Sequence, residues 1–199
     1  HLEAYKYAFA KNKLSSSSER DILKHFGLVS HMIIKKLYPS LTPKQLRRVN
    51  RDHEDALLTR TYALVKPIRG ARQCLKELKK EGYRLALVTN CNKRVLKKIM
   101  KSSGMNNTLF NAVVSYNKPL HPKPAPDEIF KAERLLNMQA DYMVGDTIYD
   151  IIAAHRAGVK AIAVCTGTES RAQLQKKKPC AILRSVADLP RFLREEHNQ

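Results

Sequence analysis

The stretch "YMVGDTIYDIIAAHRAGV", residues 142–159, decides the fold class of this chain. It opens with a short apolar run that is typical of a buried strand. It continues as a helical pattern, "IIAAHRAG", which ends at a glycine. Asp146 and Asp150 stand where the strand gives way to the helix. Because ligands of open parallel sheets bind at this carboxyl edge, we expect the two aspartates to belong to a binding site.

Strand and helix patterns alternate from residue 67 to the end of the chain. Apolar runs such as "YRLALVTN", "NAVVSY" and "VKAIAVCTG" are separated by amphipathic segments such as "GARQCLKELKKEG" and "APDEIFKAERLLN". This alternation predicts an α/β core with a Rossmann-like parallel sheet over residues 67–199. Residues 1–66 show helical patterns only, one of them capped by Thr42 and begun by Pro43. We therefore predict a separate helical domain over residues 1–66.

The composition indicates a globular protein with an unusual charge. Lys and Arg number 37 against 18 Asp and Glu, a formal net charge of +19. Such an excess suggests an anionic partner, but because the basic residues are scattered through every segment we favour a solvated surface or a basic proteome as its cause. No apolar run is long enough to span a bilayer and no signal core is present, so we expect neither membrane insertion nor export. The four cysteines form no CxxC pair, which favours reduced thiols and a cytoplasmic location.

Three groups of polar residues follow predicted strands. Thr89 and Asn90 close "LALVTN", Lys123 lies in the loop beyond "NAVVSY", and Asp146 and Asp150 follow "YMVG". Parallel strands end at the same edge of a sheet, so these groups can converge. Paired carboxylates suit Mg²⁺, a hydroxyl can donate to a phosphoryl oxygen, and an ammonium group can neutralise developing charge. Taken singly each residue is ambiguous, and Asp146 could equally cap the following helix.

In this order, "LALVTN", "HPKPAPDEIF" and "YMVGDTIYDIIAAHRAGV" resemble the second, third and fourth motifs of the haloacid dehalogenase-like hydrolase superfamily. The chain is most similar to the phosphoglycolate phosphatase-like members with a helical cap. The resemblance implies that Thr89 binds the transferring phosphoryl group beside the Asn90 backbone and that Lys123 steadies its charge. It also implies that Asp146 ligates Mg²⁺, with Asp150 ligating the ion or orienting its waters. The implied activity is Mg²⁺-dependent hydrolysis of a small phosphorylated substrate.

The chain departs from the family pattern in one respect. The family's first motif is a strand ending in Asp-x-Asp, whose first aspartate forms an aspartyl-phosphate, and the chain contains no Asp-x-Asp. Asp52 and Asp55 in "RDHED" lie on a predicted helix, and we interpret them as part of a solvated face. Since the chain begins with His1, we expect an N-terminally truncated phosphatase that is inactive alone and that is unstable, collapses or borrows a strand.

The missing motif has a structural consequence. In the family's strand order the first-motif strand lies between the strands that correspond to "LALVT" and "YMVGD". Neighbouring strands lie about 4.8 Å apart, so the two flanking strands would stand about 9.6 Å apart without pairing. Direct pairing of these two strands would contradict the assigned topology.

Two other functions fit parts of the sequence. A non-catalytic scaffold could bind nucleic acid through its positive charge, which predicts basic side chains gathered on one face and salt-sensitive binding. A dehalogenase would share the fold, but the Lys123 and Asp146/Asp150 groups together resemble the phosphatases more closely. No sequence feature indicates an oligomeric state.

Overall fold

The computed structural model describes residues 1–197 and confirms the α/β architecture with parallel strands. Along these residues the α-helices are α1 (Leu2–Lys11), α2 (Glu19–Leu23), α3 (Ser30–Leu37), α4 (Pro43–Thr59), α5 (Ala71–Lys80), α6 (Lys93–Ser102), α7 (Asp127–Leu136), α8 (Ile148–Ala157), α9 (Arg171–Gln175) and α10 (Leu189–His197). Short 3₁₀ turns occur at Tyr62–Leu64, Asn107–Leu109 and Val186–Asp188. Residues 1–66 contain helices and turns only.

The strands form two separate parallel sheets. They are β1 (Ala86–Asn92), β2 (Ala112–Tyr116), β3 (Tyr142–Gly145), β4 (Lys160–Val164) and β5 (Ala181–Leu183). One sheet has the order β1-β2 and the other the order β3-β4-β5. In the first sheet Val88 faces Val114, and in the second Val144 faces Ile162. All the pairs are parallel, as the strand–helix alternation predicts.

A gap separates the two sheets. Within residues 1–197 no strand ladder joins β1 to β3, so each has one edge without a strand partner. A cavity of about 720 Å³ lies at this gap and is lined from both sides by Leu85, Ala86, Val88, Tyr142, Met143 and Val144. The structure thus has the unpaired flanks expected of a sheet that lacks one central strand.

The helical part has its own apolar core. Tyr5, Phe9, Ile22, Ile34 and Val49 are among the side chains buried there. Helix α4 begins as predicted, because Thr42 accepts from the backbone of Gln45 while the Gln45 side chain accepts from the backbone of Thr42. These reciprocal bonds fix the start of helix α4.

The interpretation of Asp52 as a solvated residue is wrong. Its side chain lies on α4 as predicted, but it is only 5% exposed. Its carboxylate accepts from Lys11 Nζ at 2.6 Å and from Asn12 Nδ2 at 2.8 Å. Burial opposes ionisation, yet these bonds outweigh it and lower the pKa of Asp52. Asp52 therefore links α4 to α1, whereas Asp55 is exposed as expected.

Two details of the last third of the chain were not anticipated. The N-cap of α8 is Thr147, which accepts from the backbone of Asp150, so the alternative that Asp146 caps this helix is wrong. Helix α9 lies in a stretch for which the periodicity predicts no element, and Ser170 and Gln173 cap it reciprocally. Because α9 has only five residues, its sequence carries too little apolar periodicity to reveal it.

Candidate functional site

A cavity of about 350 Å³ lies between the helical part and the carboxyl ends of β1 and β3. Its core side is lined by all five residues that the sequence singles out: Thr89, Asn90, Lys123, Asp146 and Asp150. Its helical side is lined by residues from α1, α3, α4 and the loop around Gly27. Three loops far apart in sequence therefore meet at one place.

Asn90 ties three segments together. Its side-chain Nδ2 donates to the carbonyl of Gly27 at 2.6 Å and to that of Lys123 at 3.1 Å. Its Oδ1 accepts from the backbone N–H of Lys123 at 2.8 Å. Gly27 has φ of 97°, and an added Cβ would lie 2.8 Å from Thr147 Oγ1. The Asn90 side chain thus fixes both the loop around Gly27 and the loop that contains Lys123. The sequence position of Asn90 does not reveal this role.

Lys123 and Asp150 form a buried ion pair. Lys123 Nζ lies 2.7 Å from Asp150 Oδ1 and donates to the carbonyl of Val88 at 3.3 Å. Lys123 is 7% exposed and Asp150 6%. Burial alone would lower the pKa of Lys123 and raise that of Asp150, but mutual attraction outweighs it and moves each pKa the other way. Both groups are therefore charged at neutral pH.

The second oxygen of Asp150 is also occupied. Asp150 Oδ2 accepts from the backbone N–H of Thr147 at 3.0 Å and from its hydroxyl at 2.7 Å. Gly145 makes this approach possible, since a Cβ there would stand 2.3 Å from the Cβ of Asp150. Asp150 is thus oriented by Lys123 and by the first turn of α8.

The carboxylate of Asp146, unlike that of Asp150, can still accept hydrogen bonds or bind an ion. Within residues 1–197 its side chain makes no hydrogen bond to another side chain, and Gly167 packs against it, with space for no Cβ. Burial and the neighbouring Asp150 raise the pKa of Asp146. A buried carboxylate in this state is stabilised by a cation.

The donor set of this site fits Mg²⁺ better than a metal held by protein alone. The described residues contain no group of three His, Cys, Asp or Glu side chains that could enclose an ion. Mg²⁺ needs fewer protein ligands, because it commonly uses one or two carboxylates together with water and substrate phosphate. Asp146, supported by Asp150, supplies that number.

Thr89 keeps a hydroxyl proton available. Its Oγ1 accepts from the backbone N–H of Cys91 at 3.2 Å. A hydroxyl that accepts one bond can still donate another. Thr89 can therefore donate to an oxygen of an anion in the cavity.

The helical wall contains residues that the sequence interpretation missed. His53 stacks on Tyr5 with ring centroids 3.9 Å apart, is 1% exposed and has no partner for Nδ1 among the described residues. Burial lowers the pKa of His53 to about 3, so the imidazole is neutral. The buried face of α4, at Val49, His53 and Leu57, follows helical i, i+4 spacing. That spacing was the available signal for placing His53 inside.

Beside His53 a polar chain reaches the cavity. Ser30 Oγ donates to Asn50 Oδ1 at 2.5 Å, and Asn50 Nδ2 donates to Glu54 Oε1 at 2.9 Å. Ser30 and Glu54 both line the cavity. The helical wall thus presents an oriented carboxylate to the same space that the Lys123 loop borders.

The chain belongs to the haloacid dehalogenase-like hydrolase family, whose family model matches residues 1–164. The chain is accordingly a hydrolase of this family, as the three motifs indicate. Within residues 1–197 no helix is long and apolar enough to cross a membrane.

The chain is similar to proteins named as phosphatases and hydrolases. The chain is 30% identical over 174 residues to "Pyrophosphatase PpaX" of Bacillus mycoides (strain KBAB4), covering 85% of this chain and 77% of the relative. A hydrolase from Pseudomonas syringae matches with a TM-score of 0.87 and 21% identity, covering 98% of this chain and 90% of that one. A predicted phosphatase from Clostridium acetobutylicum gives 0.86 and 22%, with the same coverage. At these identities the structural matches establish the fold alone.

Proposed function

We propose that this chain forms the phosphate-binding and metal-binding part of a Mg²⁺-dependent phosphomonoester hydrolase. The observation that carries the proposal is that Thr89, Lys123 and Asp146 line one cavity. Thr89 and the backbone at Asn90 bind the transferring phosphoryl group, and Lys123 balances the charge that develops on it. Asp146, with Asp150 beside it, holds Mg²⁺, which supplies electrostatic stabilisation of phosphoryl oxygens.

The covalent step needs a carboxylate nucleophile in addition to these residues. We assign its place to the gap between β1 and β3, because a strand inserted there would end beside Thr89 and Asp146. A carboxylate oxygen from that strand attacks phosphorus and the ester P–O bond breaks, giving an aspartyl-phosphate and a leaving oxygen that takes up a proton. Water then attacks the aspartyl-phosphate, releasing inorganic phosphate and regenerating the carboxylate. The described residues alone would bind phosphate without turning it over.

Supplying the missing strand in trans tests this proposal. The peptide is a short apolar segment ending in Asp-x-Asp-x-Thr, added with Mg²⁺ and para-nitrophenyl phosphate. We expect no turnover by the chain alone and turnover with the peptide. The matched control peptide has Asn in place of the first aspartate, and Asp146→Ala in the chain should abolish the restored activity. Hydrolysis that persists in the Asp146→Ala variant would refute the assigned site.

A binding measurement keeps the test independent of peptide insertion. Phosphorus NMR of inorganic phosphate with Mg²⁺ should show binding to the unaltered chain. Thr89→Val should weaken that binding by roughly tenfold, about 1.4 kcal/mol for one lost charge-assisted hydrogen bond. The control Thr108→Val changes an exposed threonine away from the cavity and should have no effect. Equal binding by both variants would remove Thr89 from the phosphate site.

The helical wall of the cavity indicates the class of substrate. We infer that residues 1–66 form a cap whose Glu54 carboxylate selects leaving groups with hydroxyl or amine donors, because it lines the phosphate cavity. A second phosphate near this carboxylate would be repelled. A small phosphorylated metabolite with a polar remainder is therefore a better substrate than pyrophosphate. The unpaired thiols of the four cysteines support action in the reducing cytoplasm.

Glu54→Gln tests the selectivity. We expect it to strengthen pyrophosphate binding, relative to a sugar monophosphate, by roughly tenfold, because one like-charge repulsion is removed. Competition against phosphate in the same NMR assay gives both constants. Asp55→Gln, which removes an exposed charge from the same helix, is the control. An unchanged ratio would show that Glu54 does not discriminate between leaving groups.

A further inference from the structure

The positive charge of this chain is concentrated in its middle third. Residues 56–126 contain 15 Lys and Arg but only two acidic residues, Glu77 and Glu81. Both acids are engaged by Arg194, at 2.8 and 2.6 Å. This segment therefore holds an excess of 13 positive charges out of the chain's net +19.

Seven of these cations are exposed on elements that contact one another, and this set is here called the basic face. It comprises the exposed side chains Arg69, Arg72, Lys76, Lys93, Arg94, Lys97 and Lys101. Arg72 on α5 donates to the carbonyl of Gly104, just beyond α6, and Lys79 donates to that of Thr108 at 2.6 Å. Lys98 on α6 lies 3.7 Å above the ring of Tyr62. These contacts join α5, α6 and the turn before α5 side by side.

The charge pattern of α6 is costly for an isolated helix. Lys93, Lys97 and Lys101 recur at i, i+4 spacing, where like charges repel by about 0.2–0.5 kcal/mol per pair. Lys93 and Arg94 also occupy the first turn, where the helix dipole disfavours cations. The helix has no acidic residue to compensate, whereas solvated surfaces ordinarily mix both signs. A bound polyanion would offset each of these costs.

We propose that the basic face binds the phosphate backbone of nucleic acid without reading bases. Its two helices bury apolar side chains, including Cys74 and Leu78 on α5 and Val95 on α6, and the side chains they expose are mostly Lys and Arg. No aromatic ring of residues 60–104 is fully exposed for base stacking, since Lys98 covers Tyr62. Contact through phosphates alone favours a duplex, with affinity that is independent of sequence and steeply dependent on salt. This binding is separate from the hydrolase site.

Fluorescence anisotropy with a labelled 24-base-pair duplex, as DNA and as RNA, tests the proposal over 50–300 mM NaCl. The variant is Lys93→Gln/Lys97→Gln/Lys101→Gln on the basic face. We expect it to weaken binding at least tenfold at 100 mM NaCl and to reduce the slope of log affinity against log salt by about 2 to 3. The corresponding triple Lys→Arg variant should retain both, which separates lost charge from a damaged helix.

A matched control removes three exposed lysines from the helical part: Lys24→Gln/Lys36→Gln/Lys44→Gln. It changes the net charge equally and should leave the affinity within about threefold. Equal losses in the two variants would attribute binding to overall charge and overturn the proposal. Failure of the unaltered chain to bind either duplex would also overturn the proposal.

A vesicle experiment tests the alternative partner. Binding to vesicles with 30% phosphatidylserine that is stronger than binding to duplex, and that is lost in the basic-face variant, would assign the basic face to lipid through exposed Leu64 and Ile68. None of these results depends on phosphatase activity.

Discussion

At the residue scale, Lys123 and Asp150 form a buried ion pair in which each side chain depends on the other for its charge. Its members are 2.7 Å apart and almost fully buried, so removing one leaves an uncompensated charge. Under the proposed function, the same contact fixes the ammonium group that faces the phosphoryl group and the carboxylate close to Asp146. Stability and chemistry therefore depend on the same two side chains.

A double-mutant cycle measures this coupling. We expect Lys123→Met to lower the free energy of unfolding by about 3–5 kcal/mol, because Asp150 is then buried without its partner. Lys123→Met/Asp150→Asn should be less destabilised than the sum of the single changes, since Asn can still accept from Thr147. Urea denaturation gives all four values. Additive effects would show that the two side chains do not depend on each other.

Glu128 is another buried carboxyl group near the site. It is 0% exposed, and neither carboxylate oxygen has a hydrogen-bond partner within residues 1–197. Burial raises the pKa of Glu128 from 4.5 to about 7. The charged groups that act on it are Lys123, Asp150, Asp127 and Lys131.

This raised pKa predicts a pH-dependent stability. The Glu128 carboxyl binds its proton more tightly in the folded protein than in the unfolded chain. The contribution of this proton to the free energy of unfolding is therefore complete below pH 4.5 and is lost as pH rises towards 7. Glu128→Gln should therefore gain stability over the unaltered chain between pH 5 and pH 8, by roughly 2–4 kcal/mol. Denaturant midpoints at the two pH values test this. The exposed control Glu196→Gln should show no such gain, and a constant difference for Glu128→Gln would contradict the assignment.

At the element scale, the gap between β1 and β3 divides the parallel strands into two separate sheets. Strand β4 is paired on both sides, whereas β1 pairs only with β2 and β3 only with β4. Along a parallel strand, alternate amides point to opposite neighbours. About half of the amides in β1 and β3 therefore have no ladder acceptor.

Hydrogen exchange should reveal these free edges. We expect the amides of β4 to exchange slowly and alternate amides of β1 and β3 to exchange many times faster. Adding the Asp-x-Asp-x-Thr peptide should slow the fast amides selectively, whereas a scrambled peptide should not. Uniform protection along β1, β3 and β4 would mean that the gap is closed in solution.

The elements also show which sequence signals are dependable. The five strands and the cap of α4 follow from apolar runs and from Thr42–Pro43, which are local patterns. Helix α9 and the burial of Asp52 did not follow. A five-residue helix has little periodicity, and Asp52 is buried only because Lys11 and Asn12, about forty positions away, come to meet it.

At the scale of the whole molecule, a net charge of +19 opposes compactness. Within residues 1–197 the exposed cations that form ion pairs, such as Lys6, Lys11 and Arg194, are a minority, so self-repulsion should exceed the attraction of the surface ion pairs. Raising NaCl from 20 to 300 mM shortens the Debye length and should raise the melting temperature by a few degrees, about 1 kcal/mol. The basic-face triple Lys→Gln variant should show a smaller salt effect. A melting temperature that falls with salt would indicate that ion pairs dominate instead.

The sequence by itself determined the α/β class, the family, and the strand ends and following loops that carry Thr89, Lys123 and Asp146. These depend on local periodicity and on short motifs, which one stretch of chain contains whole. Only the tertiary structure decided that Asn90 bonds to the loop around Gly27 and that Thr147 rather than Asp146 caps α8. It also decided that Glu54 and His53 line the cavity. These outcomes depend on which distant side chains meet in a buried space. Burial and charge pairing are set by packing in three dimensions, and local patterns encode them only in part.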